Sequence, residues 1–155
     1  MACWLMKSEP QECSIDDALA AKNHTVPWVG VRNYQARNFM RDAMHVGDHV
    51  LFYHSSCAVP GIVGFAEVVS TAYPDPTQFD AHSPYYDPKS TRVSPRWCLV
   101  DVRALRKIET MTLDTLRSLP ALADMVVLRR GNRLSITPVT DAQWRVIQGL
   151  ARAAA

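Results

Sequence analysis

The chain carries five short runs with strand character and no regular alternation of strand and helix. The runs are Cys3 to Met6, His49 to His54, Ile62 to Val69, Trp97 to Arg106 and Leu134 to Val139. A doubly wound sheet requires a crossover of a dozen or more residues, usually a helix, between successive parallel strands. Here His49–His54 and Ile62–Val69 are joined by a short loop, Ser55 to Gly61, which contains Pro60. That spacing predicts antiparallel pairing. The fold class expected is α/β in the mixed, α+β sense: a barrel-like sheet with short helices packed around it. In Ile62–Val69 the face carrying Gly64 and Ala66 is made of small residues, which predicts tight barrel packing or close approach of another backbone.

The helices are short and announced by their caps. Ser14 with Asp17, and Thr140 with Gln143, form capping boxes. Asn33 is placed to cap a helix whose apolar stripe is Ala36, Phe39, Met40 and Ala43, and Thr112 caps one that stops at Pro120. Lys22 to Pro27 reads as a polar connection. Tyr73 to Pro95 is a long irregular segment holding Pro74, Pro76, Pro84, Pro88 and Pro95 together with Tyr85, Tyr86 and Asp75. A loop of this length is either functional or a packed structural loop, and both readings stand.

With 155 residues, a 48% apolar share and no linker or repeat, one domain over residues 1–152 is expected. The net charge is only +2, so no global field draws in a polyanion, and any such surface must come from local clustering of arginine. The four cysteines have no CxxC spacing, and reduced thiols in a cytoplasmic protein are expected. No apolar run approaches the roughly 18 residues of a membrane span. His54 and Cys57 are the one close Cys/His pair, too few for a zinc site, so no metal and no other cofactor are expected. There is no G-x-S-x-G, and Gly61-x-x-Gly64 lacks the lysine and context of a phosphate loop. His54-Ser55-Ser56 leaves a hydrolytic reading open.

The stretch Trp28 to Arg41 carries Arg32, Arg37 and Arg41 with no acid, the aromatics Trp28, Tyr34 and Phe39, and amides at Asn33, Gln35 and Asn38. Aromatic faces stack on bases, amides read base edges and guanidinium groups neutralise phosphate. The alternative is a solvated arginine face with Trp28 in the core. A second basic run, Arg129-Arg130-Gly131-Asn132-Arg133, precedes the last strand.

Several motifs together resemble the EVE domain. They are Cys3-Trp4-Leu5-Met6-Lys7-Ser8-Glu9-Pro10, Trp28-x-Gly30-Val31-Arg32-Asn33-Tyr34-Gln35-Ala36-Arg37-Asn38, Gly47-Asp48-x-Val50-Leu51-Phe52-Tyr53-His54-Ser55, Pro60-Gly61-Ile62-Val63-Gly64, Ser83-Pro84-Tyr85-Tyr86-Asp87, Pro95-Arg96-Trp97 and Leu128-Arg129-Arg130-Gly131-Asn132-Arg133-Leu134-Ser135. They run in order through almost the whole chain. Val29 stands where the family often has an acid.

The resemblance implies a barrel of the PUA-like superfamily, akin to the YTH readers of methylated adenine. It implies a non-catalytic domain that accepts a modified base, such as methylated or hydroxymethylated cytosine, flipped from DNA or RNA. Ser8, Trp28, Asn33 and Tyr53 would form the base pocket. Lys7, Arg32, Arg37, Arg129 and Arg130 would contact the backbone. A monomer with no membrane partner is expected. The other class left open is an enzyme acting on RNA or a nucleotide, like the ASCH domains of the same superfamily for which ribonuclease activity is suspected.

Overall fold

The computed structural model describes residues 1–154. Strand β1, Cys3–Ser8, lies between two partners: it runs parallel to β3, His49–His54, and antiparallel to β8, Ile136–Val139. β3 pairs antiparallel with β4, Gly61–Val68, and β4 with the long β7, Asp101–Thr112. A short edge strand, β2 (Thr25–Pro27), completes a six-stranded sheet of order β2-β7-β4-β3-β1-β8. β5, Tyr73–Pro74, and β6, Cys98–Leu99, form a separate two-stranded ladder. The expected mixed α+β architecture is therefore present, with the short loop 55–60 making the antiparallel β3–β4 turn.

Alternation along the strands builds two cores, one on each face of the curled sheet. Trp4 and Met6 of β1, Val50 and Phe52 of β3, and Val102 and Ala104 of β7 enter the first. Cys3, Leu5, Leu51 and Tyr53 enter the second. β7 changes core along its length, contributing Ile108 and Met111 to the second. Its pairing with β4 shifts register at Ile62/Gly64 and again at Phe65/Ala66. Such irregularities bend a strand and re-aim its side chains, which lets one strand serve both sides. Gly64 sits at this bend, where an added Cβ would lie 2.7 Å from the Arg106 carbonyl oxygen and 2.7 Å from Ile15 Cδ1. The small-residue face of β4 thus reflects close approach of β7 and a helix.

That helix is α1, Ile15–Ala20, capped by the Ser14–Asp17 box. With α2, Tyr34–Asn38, and the π-helical turn Phe39–Ala43 that continues it, α1 closes the first core. α3 (Leu113–Ser118, capped by Thr112) and α4 (Asp141–Leu150, capped by the Thr140–Gln143 box) close the second. Helices this short would be marginal alone, so the buried stripe and the cap hold them.

Several elements differ from the sequence expectation: the strand read over Trp97 to Arg106 is divided into β6 and β7, and β6 pairs with β5, a strand inside the segment read as irregular. β2 lies in the stretch read as a polar connection; three residues are too few to show a period, and Pro27 is tolerated because the strand is an edge. β7 runs on to Thr112, well past Arg106, because its exposed outer positions break the apolar pattern after Ala104. Among the described residues no ladder joins β2 to β8, so the curled sheet is open between these edges. No helix among the described residues is long and apolar enough to cross a membrane.

Candidate functional site

A cleft of about 400 Å³ occupies that opening. Lys7 and Ser8, at the end of β1, and Ser55 and Ser56, just past β3, line one side of it. The chain leaving β2 supplies Trp28 to Val31, and Arg133 and Ser135 lead into β8. Glu9, Glu12 and Tyr85 complete the rim used below. The volume falls within the roughly 300–1,000 Å³ typical of small-molecule sites.

The wall from Trp28 to Arg32 is held by one buried carboxylate. Asp75 is fully buried and accepts from the Gly30 N–H at 2.8 Å, Arg32 Nη1 at 3.2 Å, the Thr77 N–H at 2.8 Å and the Thr77 hydroxyl at 2.6 Å. Arg32 also donates to the Tyr85 carbonyl from Nε and Nη2, at 3.1 and 2.7 Å, which ties the long segment 73–95 to the wall. Gly30 has φ +83°, and an added Cβ would meet the Tyr85 ring at 2.6 Å. Only glycine combines that backbone conformation with an aromatic ring laid against it.

The Tyr85 hydroxyl donates to the Glu12 carboxylate and closes the rim. Burial first, then the bond to Glu12, push the Tyr85 phenol from its ordinary 10.0 up to about 12. A raised acid pKa means the folded state favours the protonated form. The stabilisation is therefore complete below pH 10 and lost as the pH rises through about 12. Alkaline titration, followed by phenolate absorbance and by melting temperature, should show late ionisation of Tyr85. In Glu12→Gln that ionisation should move back toward pH 10. A Tyr85 transition unaffected by the change at Glu12 would show that the contact does not form.

Among the residues expected to form the pocket, the structure brings Ser8 and Trp28 together, with Lys7 beside them. The Ser8 hydroxyl donates to the Cys13 carbonyl at 2.6 Å, leaving its oxygen to the cleft as an acceptor. Trp28 is 6% exposed and meets Phe52 edge-on at 5.2 Å, so it serves core and cleft at once. The indole N–H groups of Trp4 and Trp97 are donated to Asp48 and Asp87. No hydrogen bond is made by that of Trp28, and no fully buried side-chain nitrogen or oxygen among the described residues lacks a partner. The Trp28 N–H therefore reaches accessible surface.

Two of the expected pocket residues, Tyr53 and Asn33, lie outside the cleft lining, and two of the expected backbone arginines, Arg32 and Arg37, have internal partners. Tyr53 follows Phe52 on β3, so the pleat turns it to the opposite core, where it is 3% exposed and away from Trp28. The Asn33 side chain accepts from the Ala36 N–H at 3.0 Å as the cap of α2 and lies outside the cleft lining. Arg32 is paired internally with Asp75 at 3.2 Å. Arg37 donates to the Arg96 carbonyl at 2.9 Å and to Asn38, and stacks over Tyr34 at 4.7 Å. Arg129 and Arg130 are exposed, on the loop that brings Arg133 to the cleft. Sequence reasoning passed over Asp75, Gly30, Glu12 and Tyr85 as site residues. Tyr85 and Gly30 stand inside the quoted motifs, but nothing in composition distinguishes a buried aspartate from the other acids of the loop.

Formal charges on the lining cancel: Lys7 and Arg133 give +2, Glu9 and Glu12 give −2. Burial pulls the Lys7 ammonium below its ordinary value. A neutral, partly apolar cleft suits a base or other uncharged ring better than a phosphate. His54, the residue of the hydrolytic reading, accepts the Ile15 N–H on Nε2 at 3.1 Å, and burial lowers its pKa. Its role here is to anchor the first turn of α1.

The EVE domain family model matches residues 2–150. Human thymocyte nuclear protein 1 is 42% identical over 165 residues, spanning 95% of this chain and 72% of that protein. A crystal structure of a Pseudomonas putida protein is 47% identical with a TM-score of 0.91, covering 96% of this chain and 99% of that one. A crystal structure of human THYN1 protein in complex with DNA containing 5-methylcytosine is 41% identical with a TM-score of 0.91, covering 97% of each chain. An ASCH protein from Zymomonas mobilis, 12% identical with a TM-score of 0.54, shares the fold alone.

Proposed function

Because the chain belongs to the EVE domain family, we propose that it is a non-catalytic DNA-binding domain that reads a modified base, a methylated or hydroxymethylated cytosine, turned out of its strand into the cleft. The observation that carries this reading is the cleft itself: about 400 Å³, formally neutral inside, with the basic loop 129–133 entering it through Arg133. A base fits the interior and its flanking phosphates fit the exposed arginines. The similarity to a protein crystallised with DNA containing 5-methylcytosine supports the same substrate class. Trp28 and Tyr85, with Tyr53 turned away, are the rings against which a base would lie, and Ser8 and the Trp28 N–H the polar contacts.

The energetics favour a reader that depends on its rim. Stacking a base on an aromatic side chain contributes about 1–3 kcal/mol. Unpairing and flipping it from a duplex costs a few kcal/mol, and less from a single strand. The two nearly offset, so phosphate contacts decide whether duplex is bound.

The test is fluorescence anisotropy with matched oligonucleotides containing cytosine or 5-methylcytosine, single- and double-stranded, as DNA and as RNA, at fixed salt. The wild type is expected to favour 5-methylcytosine in DNA. Trp28→Phe retains a ring against Phe52 while removing the accessible N–H, and should weaken binding to cytosine and 5-methylcytosine oligonucleotides alike with little loss of melting temperature. Trp28→Ala is a poorer probe, since emptying so buried a site costs about 3–5 kcal/mol. Equal affinity for every oligonucleotide would end the reader assignment, and tighter binding to RNA would move it to another polymer.

A further inference from the structure

The polar groups around the cleft form an asymmetric set. One donor lacks a protein partner, the accessible Trp28 indole N–H, whereas the Lys7 ammonium lies over the Tyr53 ring at 6.0 Å from its centroid. One carboxylate is likewise unengaged. Glu9 lines the cleft, is exposed, and its side chain makes no hydrogen bond or ion pair, whereas Glu12 is held by the Tyr85 hydroxyl. An indole N–H can only donate, and an ionised carboxylate can only accept.

Resting on the reader assignment above, we infer that the cleft discriminates by the amino edge of the pyrimidine, with Glu9 accepting from the exocyclic amino group. Cytosine and its 5-modified forms present an amino donor, then an unprotonated ring nitrogen and a carbonyl, which are acceptors. This sequence matches one acceptor followed by a donor. Thymine and uracil present a carbonyl where the amino group stood and an N–H at the ring nitrogen. Glu9 would face an oxygen lone pair, and the ring N–H would face a donor. Both mismatches leave polar groups unpaired in a confined site, which is where hydrogen-bond discrimination is strongest. The 5-methyl group plays no part in this contrast. The cleft would thus reject thymine, the pyrimidine of ordinary DNA that carries the same methyl group, by its edge.

Four single-stranded DNA oligonucleotides, identical except for cytosine, uracil, 5-methylcytosine or thymine at one position, separate the two contributions. Amino discrimination is read from cytosine over uracil and from 5-methylcytosine over thymine. Methyl discrimination is read from 5-methylcytosine over cytosine and from thymine over uracil. Single strands remove any difference in base-pairing energy. The wild type should show amino ratios on the order of tenfold to a hundredfold, as a specific base-edge contact does. Glu9→Gln, at an exposed position that leaves the fold intact, presents an amide that donates as well as accepts. It should bring both amino ratios close to one while leaving the methyl ratios unchanged. A wild type that binds thymine as well as 5-methylcytosine, or a Glu9→Gln protein with undiminished amino ratios, overturns the inference. A wild type with amino ratios intact and methyl ratios of one defeats the modified-base assignment and leaves the edge contact standing.

Discussion

Asp75→Ala should be the most damaging single substitution in the cleft wall, lowering stability by about 3–5 kcal/mol, the range for removing one partner of a buried ion pair. For a chain of this length that corresponds to a melting temperature lower by on the order of 10 °C. The carboxylate is fully buried and accepts four hydrogen bonds, from Gly30, Arg32 and twice from Thr77. Without it the Gly30 N–H and the Arg32 guanidinium lose a partner where solvent cannot fully replace it. The damage should spread, because Arg32 also holds the Tyr85 carbonyl and Tyr85 packs on Gly30. DNA binding should therefore fall even under conditions where the variant remains folded. Asp75→Asn keeps the shape but brings an amide N–H₂ against existing donors, so it should lie between wild type and alanine. Urea denaturation measures all three. An Asp75→Ala protein within about 1 kcal/mol of wild type would show that the wall is held by something else.

Asp75 also illustrates what the sequence conceals. Strand and helix positions were legible because burial imposes a period: Val50 and Phe52 against Leu51 and Tyr53 could be read as a strand buried on both faces, and the caps at Ser14, Asn33, Thr112 and Thr140 all form. The same periodicity argues against Tyr53 in the cleft, since a residue beside Phe52 on a strand must face the other way. Family resemblance names motifs without saying which member of a motif faces inward. It grouped Asn33 with Trp28, although the cap that identifies Asn33 already engages its side-chain oxygen. Residues in segment 73–95 have no period at all. Their positions follow from ties such as Arg32 to Asp75 and Gln78 to Trp97, which connect sites far apart in sequence. The ends of β2 and β7 were missed for a related reason: pairing with a neighbour, which no local pattern encodes, sets where an edge strand starts and stops.

Replacing Arg129, Arg130 and Arg133 together by alanine should weaken all DNA binding, modified or not, and flatten its salt dependence. The three side chains are exposed and make no ion pair among the described residues. Asp101, one conceivable internal partner for Arg130, is engaged by the Tyr73 hydroxyl at 2.6 Å. Their loop is nonetheless well built. Gly131 turns it with φ +77°, the Asn132 side chain donates to the Val126 carbonyl at 3.0 Å, and its oxygen accepts the Leu134 N–H at 3.0 Å. Three cations are thus presented from a fixed turn without internal neutralisation, and the triple variant should keep its melting temperature. Each phosphate contact adds about 0.7–0.9 to the slope of log affinity against log salt, so removing three should reduce that slope by roughly two to three. The loss should be greatest at low salt and shrink as salt rises. The preference for 5-methylcytosine over cytosine should survive, since phosphate contacts position the strand without reading the base. Arg32→Ala makes the opposite comparison: its cation is already spent on Asp75, so it should lower the melting temperature and leave the slope alone. A triple variant with the wild-type slope would remove loop 129–133 from the DNA interface. A slope lost in Arg32→Ala would mean that the Arg32–Asp75 pair opens when DNA binds.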